Sequence, residues 1–308
     1  MLTHPTASLD DTRHLETLRD FLRWAMSRFA EQKIFLGHGT DNYLDEAAWL
    51  ILQSLHLPAD LDERWFDARL TPSEAELLHE RIRRRCIERI PTAYLTGQAW
   101  FMGLPFQVNP HVLIPRSPTA ELIENAFTPW IDPARVERIL DLCTGSGCIG
   151  IACASVFPDA QVDLADISPE ALDVARTNIA LHGMEGRVRA IESDLFDALQ
   201  GQRYDIIISN PPYVDARDMR ELPPEYRHEP RLALEAGEDG MRIVNRILAQ
   251  AAAHLNPGGL LVVEVGNTEH TVAERHPELP LVWLEFQRGG DGVFLITRED
   301  LPNVEPAP

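Results

Sequence analysis

Between residues 138 and 152 the chain reads Arg138-Ile-Leu-Asp-Leu-Cys-Thr-Gly-Ser-Gly-Cys-Ile-Gly-Ile-Ala152, an apolar strand that enters a helix of small residues through a Gly-rich turn. A strand that turns straight into a helix reaches its next neighbour by a crossover, which is the connection of a parallel sheet. Gly145 and Gly147 can take positive φ and let a ligand approach the backbone closely. Gly150 falls inside the helix rather than in the turn, which reads against a dinucleotide fingerprint, and no Gly-Lys-Ser/Thr phosphate loop is present. The chain therefore carries a nucleotide-type turn without a phosphate cradle.

Acidic residues take the place of that cradle. Asp141, at the end of the first strand, can accept from a cationic amino group, with the turn Cys143-Thr144-Gly145-Ser146-Gly147 wrapped around the same end of the ligand. About twenty residues on, the strand Gln161-Val-Asp-Leu-Ala-Asp-Ile167 ends in Asp166, placed to accept the two hydroxyls of a ribose, with Ile167 beside it. A third strand, Arg187 to Glu192, closes on Ser193-Asp194-Leu195-Phe196, where Asp194 and Leu195 can bracket an adenine ring. The set favours a ligand made of adenosine and an amino-acid cation over a pyrophosphate.

The fourth strand, Tyr204-Asp-Ile-Ile-Ile-Ser209, is an apolar run that stops at Asn210-Pro211-Pro212-Tyr213. Two consecutive prolines cannot donate to a sheet ladder and fix their own φ, so they make a rigid, donor-free turn. By itself Asn-Pro-Pro-Tyr is compatible with a plain turn. At a strand end, however, it presents the Asn210 side-chain carbonyl and the proline carbonyls, all acceptors, which suit the two hydrogens of a planar NH2 group. Tyr213 is expected to pack on the flat face of that group. A glutamine side-chain amide and the exocyclic amine of adenine or cytosine both satisfy this description.

The net charge of −20 and pI near 4.9 repel free nucleic acid and attract basic partners. With no separate basic target-recognition domain, the balance tilts away from DNA. Cys86, Cys143, Cys148 and Cys153 contain no Cys-x-x-Cys pair, so neither disulfide nor zinc is indicated and no metal is expected. Nothing approaches about 18 uninterrupted apolar residues, and Met1 to Asp11 lacks a secretory signal, so a cytoplasmic protein that does not engage a membrane is expected.

Three segments follow from the periodicities. Residues 1–90 read as a small helical domain, with Leu15, Leu18, Phe21, Leu22, Ala25 and Phe29 at helical spacing and a helix opening at Thr71-Pro72-Ser73-Glu74. It is a candidate for substrate recognition. Its basic concentration, Arg81, Arg83, Arg84, Arg85 and Arg89, is either a solvated face or a contact for an acidic partner such as RNA. Residues 91–116 read as a β-hairpin linker. Residues 117–308 alternate strands and helices, as a doubly wound α/β sheet requires, with Leu281 to Phe286 and Val293 to Thr297 expected as an antiparallel pair at the edge. His38, His228 and His254 read as structural or surface residues.

The order of acid, Gly-rich turn, ribose acid, adenine acid and amine clamp resembles the class I S-adenosylmethionine-dependent methyltransferases that methylate amino groups. Four stretches narrow this: Tyr94-Leu95-Thr96-Gly97, Leu113-Ile114-Pro115-Arg116, Asp-Leu-Cys-Thr-Gly-Ser-Gly and Asn-Pro-Pro-Tyr. Together they resemble the HemK/Prm family of protein-glutamine methyltransferases over nearly the whole chain. The resemblance implies a Rossmann-like domain, S-adenosyl-L-methionine as cofactor, and Asn210, Pro211, Pro212 and Tyr213 at the reacting amide. The release-factor branch of that family usually continues Ile-Pro-Arg with Pro-Glu-Thr, whereas this chain reads Arg116-Ser117-Pro118-Thr119. That segment, with Gly37-His-Gly-Thr-Asp-Asn42, Glu225-Tyr-Arg-His-Glu-Pro230 and Gly289-Gly-Asp-Gly-Val-Phe294, is similar to the branch acting on a ribosomal protein. The implied partner is the basic large-subunit ribosomal protein L-three or its assembly precursor. Release-factor glutamine is the alternative, with DNA amine methylation and a non-enzymatic assembly factor further off.

Overall fold

The computed structural model describes residues 12 and 14–302, and the stretch Met1 to Asp11, read above for a signal, lies outside them. The chain divides into two compact units, Met1–Gln98 with Pro223–His228, and Ala99–Leu222 with Glu229–Pro308.

The first unit is helical. It contains α1 (Leu18–Glu31), α2 (Tyr43–Ser54), α3 (Pro72–Ile87) and the short α4 (Thr92–Thr96). Thr17 and Asp20 form a capping box at the start of α1, and Thr71 with Glu74 another at α3, where Pro72 occupies the first turn. Phe21, Phe29, Leu50, Ile51, Leu78 and Ile82 close its core.

Two features of this unit differ from the sequence reading. Residues Thr92–Thr96 are helical rather than part of a hairpin linker; Gly97 ends that turn in the left-handed region at φ 74°. The segment Pro223–His228, distant in sequence, belongs to this unit. Its Glu225 is buried and accepts from the Phe35 backbone N–H at 2.9 Å. Arg85 is fully buried between Glu225 and Glu46, with Nε 2.7 Å from Glu46 and Nη1 3.5 Å from Glu225, while Arg89 reaches Glu225 at 3.4 Å. The arginine cluster is thus split. Arg83 and Arg84 pair with Glu80 and Glu88 on the exposed side, and Arg85 and Arg89 serve buried carboxylates.

The hairpin β1 (Gln98–Phe101) and β2 (Leu104–Gln107), which from Ala99 onward belongs to the second unit, stands as a separate two-stranded sheet. The residues Val112 to Arg116, read above as part of the β-hairpin linker, are not strand. The unit continues through α5 (Thr119–Glu124), β3 (Arg138–Leu142), α6 (Cys148–Val156), β4 (Gln161–Asp166), α7 (Pro169–Leu181), β5 (Val188–Glu192), β6 (Tyr204–Ser209) and α8 (Asp218–Glu221). It ends with α9 (Arg242–His254), β7 (Leu255–Glu264), α10 (Glu269–Arg275), β8 (Val282–Trp283) and β9 (Val293–Thr297).

The seven-stranded sheet has the order β5-β4-β3-β6-β7-β9-β8. β3 pairs in parallel with both β4 and β6, while β9 runs antiparallel to β7 and β8, giving the expected antiparallel edge. Side chains alternate between two cores: Ile139, Ile206 and Ile208 face α6 and α7, and Leu140 and Ile207 face α9. Helices on both faces make this a doubly wound α/β unit. The chain winds outward from β3 to β5, then returns to place β6 on the other side of β3. The crevice at the C-terminal ends of β3 and β6 is the switch point where such sheets bind ligands. Among the described residues no helix is long and apolar enough to cross a membrane.

Candidate active site

A cavity of about 470 Å³ opens at that switch point, within the usual range for small-molecule sites. Cys143, Thr144, Gly145 and Ser146 form its floor, and Asp166, Ile167, Asp194 and Leu195 one wall. Asn210 and Pro212 line it from the end of β6. The sequence-predicted residues of four strand ends thus converge. Two non-glycine residues at those ends, Cys143 and Leu195, sit in the left-handed region at φ 57° and 53°. Strained backbone of this kind persists where surrounding structure holds it for a local geometry.

Asp166 is the hinge of the floor. Its Oδ2 accepts from the Gly145 N–H at 2.8 Å and its Oδ1 from the Ser168 N–H at 3.0 Å. Burial raises the carboxyl above its ordinary value, and these backbone donors pull it back down. With the Ile167 N–H as a third backbone donor, part of the carboxylate's four-site acceptor capacity remains for a ribose hydroxyl. Asp194 is held by Arg246, whose Nη1 lies 2.9 Å from Oδ1. Exposed Ile167 and buried Leu195 supply the apolar surfaces beside these two acids. Two acids at adjacent strand ends with flat apolar walls fit an adenosine; the acceptors match ribose hydroxyls and an adenine amine.

Asp141 stands elsewhere. It is fully buried and does not line the cavity; its Oδ2 accepts from Thr144 Oγ1 at 2.5 Å and Gly150 N–H at 2.9 Å. It therefore braces the turn from beneath, and burial pushes its carboxyl up to about 7. Gly147 caps α6 and also lies off the cavity surface. A Cβ on Gly150 would stand 2.1 Å from Leu164 Cδ2 and 3.0 Å from Asp141 Cβ, so this glycine serves close helix–strand packing. That is the duty of the third glycine in a dinucleotide fingerprint as well. The glycine spacing therefore does not separate the two ligand classes, and the acids carry the distinction.

The Asn-Pro-Pro-Tyr turn is anchored from behind. Tyr213 does not line the cavity, in contrast to the expected packing on a flat ligand face. Its ring lies against Gly266, where a Cβ would stand 2.7 Å from Cε2. The buried Glu264 at the end of β7 accepts from Ser117 Oγ at 2.5 Å, and the β6–β7 register that sets Ser209 beside Val263 brings it next to Asn210, whose side chain, with the Tyr213 hydroxyl, favours its charged form. Burial pushes Glu264 up to about 7. The tyrosine is thus turned toward the protein by a carboxylate at the end of the neighbouring strand, which no local pattern discloses.

Several other residues at the cavity carry no separate motif. Arg116 and Ser117 line it; Arg116 makes two 2.7 Å bonds to buried Glu229, whose Oε1 also takes the Ile114 N–H at 3.2 Å. Leu232, more than half exposed, and Arg242 stand at the same cavity. The segment around Arg116 was legible as Ile-Pro-Arg, and Glu229 as part of Glu225 to Pro230; Arg242 and Arg246 have no sequence signal beyond α9 itself. Burial pushes the Cys148 thiol up to about 12 and raises Cys143 too, so neither is a thiolate nucleophile. All four cysteines are free. His228 and His254 bond backbone carbonyls of Glu88 and Gln202, and among the described residues no His, Cys, Asp and Glu cluster is arranged for a metal ion.

Residues 123–222 match the family model of the methyltransferase small domain. The hMettl16 catalytic domain, solved in complex with the MAT2A 3′UTR hairpin 6, superposes with a TM-score of 0.50 at 16% identity, covering 76% of this chain and 84% of that one. That likeness concerns the fold. The ribosomal protein uL3 glutamine methyltransferase of Francisella tularensis subsp. tularensis is 46% identical over 97% of this chain and 95% of its own length. The enzyme of the same name from Bordetella pertussis is 47% identical over 95% of this chain and 98% of its own. With such identity sustained from end to end, the chain belongs to the ribosomal protein uL3 glutamine methyltransferase family.

Proposed function

We propose that this protein transfers a methyl group from S-adenosyl-L-methionine to the side-chain amide nitrogen of a glutamine in ribosomal protein uL3. The observation that carries the reading is the Asn210-Pro211-Pro212 turn at the end of β6, which puts Asn210 and Pro212 at a cavity whose other strand ends hold Asp166 and Asp194. The names of its relatives supply the substrate.

S-adenosyl-L-methionine, when bound, supplies a sulfonium methyl electrophile that needs no metal to depart. Asp166 would hold its ribose hydroxyls, Asp194 with Ile167 and Leu195 its adenine, and the turn Cys143 to Gly147 its amino-acid end. Asp141 supports that turn through Thr144 and Gly150. The chain's remaining task is to present a poor nucleophile. An amide nitrogen has its lone pair delocalised into the carbonyl, and Asn210 Oδ1 with a proline carbonyl can take both of its hydrogens and aim that lone pair. Orientation of this kind is worth roughly 7–11 kcal/mol of barrier. The same acceptors would strengthen their bonds as nitrogen becomes positive, which stabilises the transition state over the bound amide; the N–CH3 bond forms as the S–CH3 bond breaks, and the nitrogen then releases one of its two protons to solvent.

A net charge of −20 suits a basic ribosomal protein, free or in an assembly precursor, over DNA. The compartment that fits such a substrate is the cytoplasm. The test is direct: incubate the protein with methyl-labelled S-adenosylmethionine and separated ribosomal proteins, release factors and duplex DNA, then locate the methyl by mass spectrometry. Label on a glutamine of uL3 supports the assignment. Label on a release-factor glutamine moves the chain to the sister activity, and label on adenine or cytosine overturns the protein-substrate reading.

A further inference from the structure

We propose that Glu264 is a positioning residue for amide methylation: by accepting from the Asn210 side-chain NH2 and the Tyr213 hydroxyl, it turns the Asn210 carbonyl oxygen toward the cavity. The inference rests on Asn210 acting as the amide clamp, and deepens that reading.

The geometry leaves few alternatives. An asparagine side chain carries one acceptor and one donor group, and only the acceptor can receive a hydrogen from a substrate NH2. Nothing in the amide's shape distinguishes its two ends, so a partner must set them. Glu264 lies 4% exposed at the last position of β7, accepts from Ser117 Oγ, and follows Val263, which pairs with Ser209, so that the Asn210 side chain and the Tyr213 hydroxyl stand within its reach and favour its charged form. A carboxylate only accepts, so it selects the Asn210 NH2 for itself and leaves Oδ1 facing outward. Tyr213, drawn to the same carboxylate and packed on Gly266, braces the other end of the turn.

Protonation reverses the selection. A neutral Glu264 can donate to Asn210 Oδ1, and the flipped side chain then opposes its NH2 to the substrate NH2, donor against donor. The groups facing this carboxyl are the Arg116 guanidinium, Ser117, Asn210 and Tyr213, with the Cys148 thiol on α6 near enough to feel its charge. Arg116 is itself engaged by Glu229. The burial that pushes Glu264 up to about 7 outweighs these stabilising contacts, so the switch falls near neutral pH. Sign follows from the roles: the ionised form is competent, so turnover falls as pH drops through that value.

Ser117 belongs to the Arg-Ser-Pro-Thr segment that separates this chain from the release-factor branch. The same hydroxyl that distinguishes the branches therefore reaches the carboxylate behind the clamp.

The experiment compares Glu264→Gln and Asn210→Ala with the wild type on the methylated substrate, with kcat and KM measured from pH 5.5 to 8.5. Glu264→Gln keeps the shape but cannot ionise. At pH 8 it should lose roughly tenfold or more in kcat, with KM for the substrate and calorimetric affinity for S-adenosylmethionine near wild type, and the acidic fall in kcat should disappear. The second readout needs no Glu264 variant. The Asn210 side-chain amide resonance in the wild-type protein, assigned by its absence in Asn210→Ala, should shift between pH 5.5 and 8.5. A Glu264→Gln enzyme with wild-type kcat and an intact acidic limb overturns the proposal while the clamp stands, provided Asn210→Ala is impaired. If Glu264→Gln does not fold, an Asn210 resonance that does not move with pH overturns it instead. Asn210→Ala with wild-type turnover removes the clamp, and the role of Glu264 with it.

Discussion

Asp166 and Gly145 are joined by a 2.8 Å hydrogen bond from the glycine N–H to the carboxylate, tying the end of β4 to the turn after β3. One side chain thereby does two things: it sets the shape of the cavity floor and presents lone pairs to whatever lies above. Replacing it removes a turn constraint together with a charged acceptor. Asp166→Asn separates the two only in part: its carbonyl can still take the Gly145 N–H, but its NH2 then opposes the Ser168 N–H and its charge is gone.

A hydrogen bond to a charged group contributes roughly 1.5–3 kcal/mol. Asp166→Ala should therefore weaken S-adenosylmethionine binding by about tenfold or more, and Asp166→Asn by less. Titration calorimetry on folded variants checks this. Unchanged affinity in Asp166→Ala would remove the ribose assignment.

Asn210→Ala deletes one acceptor at the reacting nitrogen and leaves the two prolines that stiffen the turn. Because that interaction grows as nitrogen becomes positive, kcat should fall on the order of a hundredfold with a small change in KM. Single-turnover methylation under saturating cofactor measures it. A change confined to KM would mean that Asn210 binds substrate without favouring the transition state.

Asp141 predicts a pH dependence of stability. Burial pushes its folded carboxyl up to about 7, whereas a carboxyl in the unfolded chain ionises near about 4. Between these values the folded protein holds a proton that the unfolded chain releases. Its contribution is therefore full below about pH 4 and is lost as pH rises toward 7. Asp141→Asn keeps an acceptor for Thr144 and Gly150 and stays neutral throughout. Without cofactor, it should match the wild type near pH 4 and exceed it at pH 8 by on the order of 1–4 kcal/mol. Urea unfolding at the two pH values decides; a difference that does not change with pH would assign the effect to packing.

The sequence disclosed what repeats along a strand or sits at its end. Gly145, Asp166, Asp194 and Asn210 were legible because each terminates an apolar run, and parallel pairing brings those ends together. Glu264 was not, because its partners Ser117, Asn210 and Tyr213 come from three separate segments and meet it only after β7 has docked beside β6. The orientation of Tyr213 failed for the same reason. Arg85 was misread within a basic run since α3 turns each successive arginine through about 100°, so neighbours in sequence face solvent and core in turn. The place of Pro223–His228 in the helical unit rests on Glu225, whose partners lie far upstream.

That buried network gives a further expectation. Arg85→Met would leave Glu46 and Glu225 without their shared cation in a site where both are nearly inaccessible. Breaking one partner of a buried pair costs about 3–5 kcal/mol. A large drop in the denaturation midpoint is expected, with partial recovery in Arg85→Met combined with Glu46→Gln. No loss in the single variant would mean that water reaches and solvates these carboxylates.

The long-range field governs encounter. A chain of net charge −20 approaching a basic ribosomal protein is attracted over a distance set by the ionic atmosphere, which shrinks from about 30 Å at 0.01 M salt to about 8 Å at 0.15 M. Such steering acts on association and leaves the aligned complex largely untouched. Raising the salt should therefore lower kcat/KM for uL3 severalfold while kcat at saturation stays within about twofold. A glutamine peptide of neutral charge, cut from the same substrate, should show little salt dependence of kcat/KM. Steady-state kinetics on the two substrates across 0.02 to 0.5 M salt, as a rough range spanning the screening lengths above, supply the comparison. Equal slopes for protein and neutral peptide would mean that the acidic surface plays no part in finding the substrate.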